Sequence, residues 1–248
     1  MSGSLERALD ALELLAEGRH TTLAGLARRL GASRATVHRL LAVLQERGYV
    51  RHVPETHEYR LGPALTDLVA RSDAGSLVSL AEPAMAALST LTGETINLAV
   101  LRRGRIVWAD TVDAVHAIRL TTTLGERVPP HATAIGKAIL AALPESEWEA
   151  LLGPEPYTRL TEATRTTLAT LRPDIKAARA DGYALDQEES ELGGVCLAAA
   201  VLGRAGRPVG AISVSAVAVR LPRQRWAQVG EAVREWCAQV SERIQTGT

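Results

Sequence analysis

The sequence predicts an α+β protein in which an N-terminal winged helix-turn-helix domain precedes a larger domain built on a largely antiparallel sheet. Two short amphipathic segments lie only three residues apart, at 31–33. After Gly48 the apolar period changes from helical to two. Beyond residue 77, strand-like hairpins alternate with helical segments, which is typical of an α+β domain. The expected boundaries are 1–62 for the first domain, 63–76 for a linker helix and 77–248 for the second domain.

Three helices are predicted before Gly48. The first has leucines at three- and four-residue steps and ends at Gly18, and the second begins at Leu23 and ends at Gly31. Ser33 is a good N-cap for the third. The short connection between the second and third helices is typical of a helix-turn-helix, whose second helix enters the major groove of DNA. The exposed face of this third helix would carry four polar residues beside the capping Ser33: Arg34, Thr36, His38 and Arg39.

Two strand-like segments, 49–53 and 58–61, follow the third helix and are joined by a turn that contains Pro54. A hairpin directly after a recognition helix is a wing. Arg51 and Arg60, with His52 and His57, would then lie near phosphates, where contacts position a domain without specifying sequence.

The second domain is expected to contain several hairpins and a long C-terminal helix. Two glycine-containing turns, 102–105 and 203–208, each join a pair of strand-like runs. Pro173 is expected to interrupt a helix over 164–181. The predicted strands are 95–101, 106–112, 118–122, 183–185, 195–202 and 209–219. The predicted helices are 77–91, 134–143, 145–152, 164–181 and 221–244.

Composition excludes several classes of protein. Two cysteines cannot form a disulfide framework or a zinc module. No apolar run approaches the roughly 20 residues of a membrane helix, and acidic residues within the first apolar segment argue against a signal peptide. Aromatic residues make up 3% of the chain, too few for a protein that stacks single-stranded bases. We therefore expect a cytoplasmic protein without a membrane partner.

Charge is distributed unevenly, although the formal net charge is zero. Residues 1–62 contain nine arginines and seven acids, a net +2, and the remainder contains 19 bases and 21 acids, a net −2. Between residues 19 and 53 there are seven arginines and one acid. A basic patch on a neutral protein is typical of a DNA-binding domain joined to a domain that does not touch DNA, and the alternative is a solvated charged face.

The segment 125–137 contains the most unusual motif of the second domain. Two prolines lead to Thr133, a good helix cap, and the following amides of Ala134, Ile135 and Gly136 would form an anion site at a helix N-terminus. The segment is not a phosphate-binding Walker loop, because Ala138 follows Lys137 where that motif requires Ser or Thr. The alternative is an ordinary capped helix.

Other candidate side chains stand in or beside predicted strands. Asp186 follows a strand and is expected to point inward, whereas the three neighbouring glutamates are expected in a solvated loop. Ser213 and Ser215 share one face of an apolar strand, either as satisfied core hydroxyls or as ligand donors. Cys196 has the character of a small buried hydrophobe.

Together these segments resemble the IclR-type transcriptional regulators, and the likeness covers nearly the whole chain. It is carried at the front by SLERAL (4–9), SRATVHRLL (33–41) and YRLG (59–62). At the back it is carried by PPHATAIGKA (129–138), GYALDQEE (182–189) and GGVCLAA (193–199). Two residues depart from the family pattern. Pro130 stands where the family usually has a Leu-like residue before His131, and Ala200 stands where a proline often follows the pair of alanines at 198 and 199. Both departures are expected to reshape the pocket mouth.

The resemblance implies a GAF-like C-terminal domain that binds a small, usually acidic metabolite, and dimers that associate further into tetramers on DNA. It implies no cofactor and no metal. The expected partners are a pseudo-palindromic duplex operator, an acidic effector and a second copy of the chain. The expected target is a catabolic or metabolic operon, which the protein would either repress or activate. By position, the effector pocket would use Ala134, Ile135, Asp186, Cys196, Ser213 and Ser215.

Two other functions compete with a ligand-responsive regulator. An enzyme that uses the C-terminal pocket would need a catalytic constellation, and the sequence shows no Ser/His/Asp set, metal cluster or dinucleotide fingerprint. We therefore expect no enzymatic activity. An architectural DNA-binding protein would lack an effector, so a change in thermal stability with small organic acids would distinguish it.

Overall fold

The computed structural model describes residues 3–18, 21–70, 73–203 and 205–246. The chain divides into two compact units, Met1–Gly75 and Ser76–Thr248. The second unit is α+β with one five-stranded sheet, so the predicted fold class is confirmed. The finer domain boundaries at 62 and 76 remain predictions.

The first unit is a three-helix core with a two-stranded wing. Its elements are α1 (Ser4–Ala16), α2 (Leu23–Arg29), α3 (Arg34–Glu46), β1 (Val50–Val53), β2 (Glu58–Leu61) and α4 (Pro63–Ala70). Leu15, Leu26, Val37 and Leu41 pack together with Tyr59 of the wing. The wing is also tied to the segment before α2, because the Tyr59 amide donates a 2.7 Å hydrogen bond to the Thr21 carbonyl. This core holds α3 with its polar face outward.

The N-terminal half of α1 is more exposed than its leucine repeat predicts. Leu5 and Leu9 are 73% and 53% exposed, whereas Ala11 and Leu15 are buried. The leucine repeat therefore continues beyond the part of the helix that the core covers.

The second unit is built on one sheet in the order β4-β3-β7-β6-β5, with every neighbouring pair antiparallel. Its strands are β3 (Thr95–Arg102), β4 (Arg105–Val112), β5 (Ala184–Gln187), β6 (Gly194–Leu202) and β7 (Pro208–Val217). Its helices are α5 (Asp73–Thr92), α6 (Ala134–Ala142), α7 (Trp148–Leu152), α8 (Leu168–Asp181) and α9 (Trp226–Thr246), with 3-10 turns at Glu145–Glu147 and Arg223–Arg225.

Helices cover this sheet. Helix α6 packs on β6 and β7, and α9 also packs on these strands. The Cys237 thiol of α9 donates to the Ala199 carbonyl of β6. None of the helices in the described part of the chain combines the length and the apolar composition that a membrane span requires.

The strand predicted at 118–122 does not form. The outer edge of β4 pairs instead with residues 125–128, since the Trp108 amide donates to the Glu126 carbonyl at 3.0 Å and the Val128 amide to Ile106 at 2.9 Å. Side chains hold the 118–122 segment: Thr95 donates to the Leu120 carbonyl at 3.1 Å.

Two helix predictions also change. Helix α8 begins at Leu168 because the Thr167 side chain caps it, and Pro173 lies inside this helix without ending it. Helix α5 begins at Asp73 and not at the predicted residue 77, and Pro83 lies in its interior.

Candidate functional site

The exposed face of α3 presents cations at its N-terminal half. The Ser33 hydroxyl accepts a 3.2 Å hydrogen bond from the Thr36 amide, which fixes the start of the helix. Val37 is fully buried, whereas Arg34, His38 and Arg39 are exposed. Within the described residues, neither arginine has a carboxylate partner, so both guanidinium groups are available to an external acceptor.

The wing carries two further arginines on one face. Arg51 and Arg60 stand directly opposite each other in the β1–β2 ladder, an arrangement of like charges that is unfavourable without counter-charge. Glu58 supplies part of it, since its carboxylate lies 3.2 Å from the Arg60 guanidinium and that guanidinium lowers the pKa of Glu58. Arg51 has no ion-pair partner in the described segments, which makes it the stronger candidate for a phosphate contact.

In the second unit, the start of α6 is fixed by Thr133 and Gly136. The Thr133 hydroxyl donates to the Pro129 carbonyl at 2.9 Å and accepts from the Gly136 amide at 3.1 Å. The backbone of Pro130 lies so close that a Cβ on Gly136 would stand 2.4 Å from its Cα. The expectation of three free amides is therefore wrong for Gly136. Among described residues, the amides of Ala134 and Ile135 have no acceptor and keep the anion-binding character of a helix N-terminus.

Sheet register brings the other predicted residues together. Asp186 pairs with Cys196, and Cys196 pairs with Ser215. Residues directly opposite in antiparallel strands project to the same face, so these three side chains form a row across β5, β6 and β7. Ser213 is in the adjacent row, opposite Ala198.

These residues line one cavity of about 250 Å³ at the N-terminus of α6, which we call the α6 cavity. Its predicted lining residues are Ala134, Ile135, Asp186, Cys196, Ser213 and Ser215. Sequence reasoning missed the apolar wall formed by Trp108, Leu120, Pro129 and Leu160. Pockets for drug-sized ligands span roughly 300–1,000 Å³, so this cavity fits a smaller molecule with an apolar body and a few polar groups.

A hydrogen-bond network fixes the hydroxyls of the cavity floor. Asn97 donates to the Ser215 hydroxyl at 3.1 Å, and that hydroxyl lies 3.3 Å from the Ser213 hydroxyl. The Asn97 carbonyl oxygen accepts from Thr111 and Thr122 at 3.0 and 3.1 Å. Because Ser215 accepts from Asn97, its own proton is left to donate to Ser213 or to a ligand. Sequence analysis did not identify Asn97.

Asp186 organises the turn that follows β5. Its carboxylate accepts from the amides of Glu189 and Ser190, at 2.8 and 3.3 Å, and from the Ser190 hydroxyl. Burial raises the pKa of Asp186, and these hydrogen bonds oppose that effect. Asp186 therefore both lines the α6 cavity and holds part of its wall in place.

Glu189 corrects the expectation of a solvated acidic loop. Glu188 and Glu191 are exposed, but Glu189 is 3% exposed and accepts a 2.7 Å hydrogen bond from the buried Lys137 ammonium group of α6. Burial raises the pKa of Glu189, and Lys137 opposes that rise. Its second carboxylate oxygen has no hydrogen-bond partner among the described residues. The pair joins α6 to the turn that Asp186 organises.

Cys196 is confirmed as a buried side chain. Burial, followed by the negative charge of Asp186, raises the pKa of its thiol well above the ordinary range. The neutral thiol is a poor nucleophile, so Cys196 contributes a polarisable wall to the cavity.

No cluster of three or more His, Cys, Asp or Glu side chains suited to a metal ion occurs in the described ranges.

Comparison with known proteins identifies this arrangement. Residues 4–54 match the IclR helix-turn-helix domain, and residues 71–242 match the C-terminal domain of the bacterial transcriptional regulator IclR. The chain belongs to the IclR family. It is 35% identical over 239 residues to the HTH-type transcriptional regulator BhcR of Paracoccus denitrificans, covering 96% of this chain and 86% of the relative. It is 34% identical to the transcriptional repressor IclR of Escherichia coli, covering 93% and 85%.

Solved structures share the fold over nearly the full length. The IclR protein of Thermotoga maritima superposes with a TM-score of 0.81 at 26% identity, covering 97% of this chain and 98% of that one. An IclR homologue of Microbacterium hydrocarbonoxydans, crystallised with 4-hydroxybenzoate, gives a TM-score of 0.80 at 24% identity, covering 99% and 100%. The protein is thus a DNA-binding transcriptional regulator with a C-terminal effector domain, in a family of regulators rather than enzymes.

Proposed function

We propose that the protein regulates a catabolic or metabolic operon from the cytoplasm by binding a pseudo-palindromic operator as a symmetric dimer, which can pair into a tetramer. Residues 1–62 would form the DNA-binding domain and residues 77–248 the effector-binding domain, and residues 63–76 would form the linker helix between them. Base edges would be contacted from α3 by Arg34, His38 and Arg39, with Ser33 and Thr36 beside them at the start of the helix. Phosphates would be contacted from the wing by Arg51 and Arg60. The exposed Leu5 and Leu9 support self-association, since a partner chain would cover them.

Footprinting should show two protected half-sites whose centres lie about 10 bp apart, or a multiple of that distance. One recognition helix per chain contacts few bases, and a two-fold dimer places two such helices on the same side of the duplex. DNase I or hydroxyl-radical footprinting of genomic fragments selected by the purified protein measures this spacing. A single asymmetric site occupied by a monomer would contradict the symmetric dimer.

We further propose that the effector is a small metabolite with a carboxylate and a hydroxyl group, bound in the α6 cavity. The observation that carries this proposal is that all six residues predicted as effector ligands line this cavity. The amides of Ala134 and Ile135 favour the carboxylate because they stand at the positive end of a helix. Asp186 selects a hydroxyl donor, and the hydroxyls of Ser213 and Ser215 add hydrogen bonds.

A thermal-stability screen of the full chain tests this effector class. Glycolate, lactate and 4-hydroxybenzoate are suitable probes, with their methyl esters as uncharged controls. A ligand present at 100 times its Kd should stabilise the folded protein by about 2.7 kcal/mol. Acids that stabilise no better than their esters would remove the carboxylate from the proposal.

A further inference from the structure

A second cavity, larger than the α6 cavity, is bounded in part by the segment that leads into α6. Its volume is about 510 Å³, and it is bounded by residues 104–106, 127–131, 150–154 and 156–158 together with Leu160. We call it the arginine cavity after Arg105 and Arg127. It shares Pro129 and Leu160 with the α6 cavity, so the two spaces are neighbours with separate polar groups.

The charge of its walls sets the arginine cavity apart. Arg105 and Arg127 both line it, and none of its described lining residues is Asp or Glu. Neither guanidinium has a carboxylate partner among the residues that the structure describes. The α6 cavity has the opposite balance: Glu126, Asp186 and Glu191 line it, and no Lys, Arg or His is found among its described lining residues. The stronger side-chain attraction for an anion therefore belongs to the arginine cavity.

The remaining walls are fixed and partly polar. His131 is 6% exposed, and its Nε2 lies 2.8 Å from the Thr158 carbonyl. A carbonyl only accepts, so Nε2 carries the hydrogen and donates. Burial lowers the pKa of His131, which favours the neutral ring. The ring packs on Tyr157 with centroids 5.3 Å apart. These contacts give the two arginines a neutral, ordered backing that does not compete for an anion.

We propose that the arginine cavity is a second ligand site, which binds a small anion with two or more carboxylate or phosphate groups. Guanidinium groups bind both oxyanions through paired hydrogen bonds, and a polyanion would use both arginines at once. Compounds with one acidic group would bind more weakly. This site goes beyond the proposed function, because its residues are separate from the effector residues of the α6 cavity.

Calorimetric titration of the full chain tests the proposal with succinate and citrate as carboxylates, pyrophosphate as a phosphate, and acetate as a monoanion. Ionic strength is matched with NaCl, since salt screens exposed charges. We expect the polyanions to bind more tightly than acetate, and their relative affinities to show which oxyanion the site prefers. The double variant Arg105→Gln/Arg127→Gln should weaken the tightest probe at least tenfold, because it removes both guanidinium groups that line the cavity.

Matched variants separate this site from its alternatives. Arg103→Gln/Arg225→Gln removes the same amount of charge from positions outside the cavity lining and should change affinity less than about twofold. Ala150→Tyr places a large side chain in the cavity from an exposed position on α7 and, like Arg105→Gln/Arg127→Gln, should weaken binding at least tenfold. Ser213→Ala should leave polyanion binding intact, so failure of the α6 cavity and failure of this site are distinguishable.

Three results would overturn the arginine cavity as a ligand site. One is no polyanion binding by the wild type at matched ionic strength. Another is an equal loss in both arginine pairs, which would indicate general charge attraction. The third is a double variant Arg105→Gln/Arg127→Gln that still binds the anions but binds duplex DNA more weakly. That result would indicate that the two arginines contact nucleic acid and not a small anion.

Discussion

Replacing Lys137 with methionine should lower the free energy of unfolding by about 3–5 kcal/mol, the cost of leaving a buried charge without its partner. The Lys137 ammonium group is 2.7 Å from Glu189 and 3.6 Å from Asp174. Asp174 keeps a second cation, since Arg165 lies 2.9 Å away, but Glu189 would lose its ion pair. Chemical denaturation followed by circular dichroism measures the change.

Two variants show whether the effect comes from the buried pair. The double variant Lys137→Met/Glu189→Met should recover much of the lost stability, because it removes both charges and keeps similar volumes. Lys176→Met changes the other lysine, which is exposed on α8, and should alter stability by less than about 0.5 kcal/mol. If the single and double variants are equally unstable, Glu189 is not the group that Lys137 stabilises.

Arg34→Ala and Arg39→Ala should each weaken specific operator binding by about 1–3 kcal/mol and relax discrimination at one or two base pairs. Both side chains are exposed on α3, which the Ser33 cap fixes at its N-terminus. Arginine recognises guanine through two hydrogen bonds, so losing it removes affinity mainly for the correct sequence. Fluorescence anisotropy with operator and shuffled duplexes measures both effects.

Arg51→Ala is the matched comparison on the wing. A phosphate contact carries no sequence information, so this variant should weaken operator and shuffled DNA alike and reduce the salt slope by about one. Arg60→Ala should have a smaller effect because Glu58 already partners that guanidinium. Equal losses on both duplexes for Arg34, Arg39 and Arg51 would refute the assignment of α3 to base recognition.

The helix-turn-helix unit was predictable because its signals are local in sequence. The Ser33 cap acts on Thr36, three residues later, and the turn 31–33 fixes how the two helices meet. The wing register likewise follows from alternation over a few residues. In contrast, the segment 118–122 contains three β-branched residues among five but forms no strand, because residues 125–128 occupy the edge of β4. Propensity alone could not decide which segment pairs there.

The α6 cavity was predictable only in part. The spacing of Ser213 and Ser215 places both on one face of a strand. The hydrogen bond between Ser215 and Asn97, however, depends on the pairing of β3 with β7 and joins residues 118 positions apart. The burial of Glu189 depends on Lys137, 52 residues away. Such long-range partners leave no periodic signal, which is why an acidic run resembled a solvated loop.

The most direct test of the proposed mechanism is a DNA titration of wild type and Asp186→Asn/Ser213→Ala, with and without the hydroxy-carboxylate that stabilises the protein most. The asparagine keeps an acceptor for the Glu189 and Ser190 amides, so the turn of the cavity wall is retained. A ligand alters DNA affinity only through differential binding to two states of the regulator. We predict that the ligand shifts the wild-type DNA affinity at least fivefold and leaves that of the variant unchanged, with similar ligand-free affinities. An equal ligand-induced shift in both proteins would contradict an effector site in the α6 cavity.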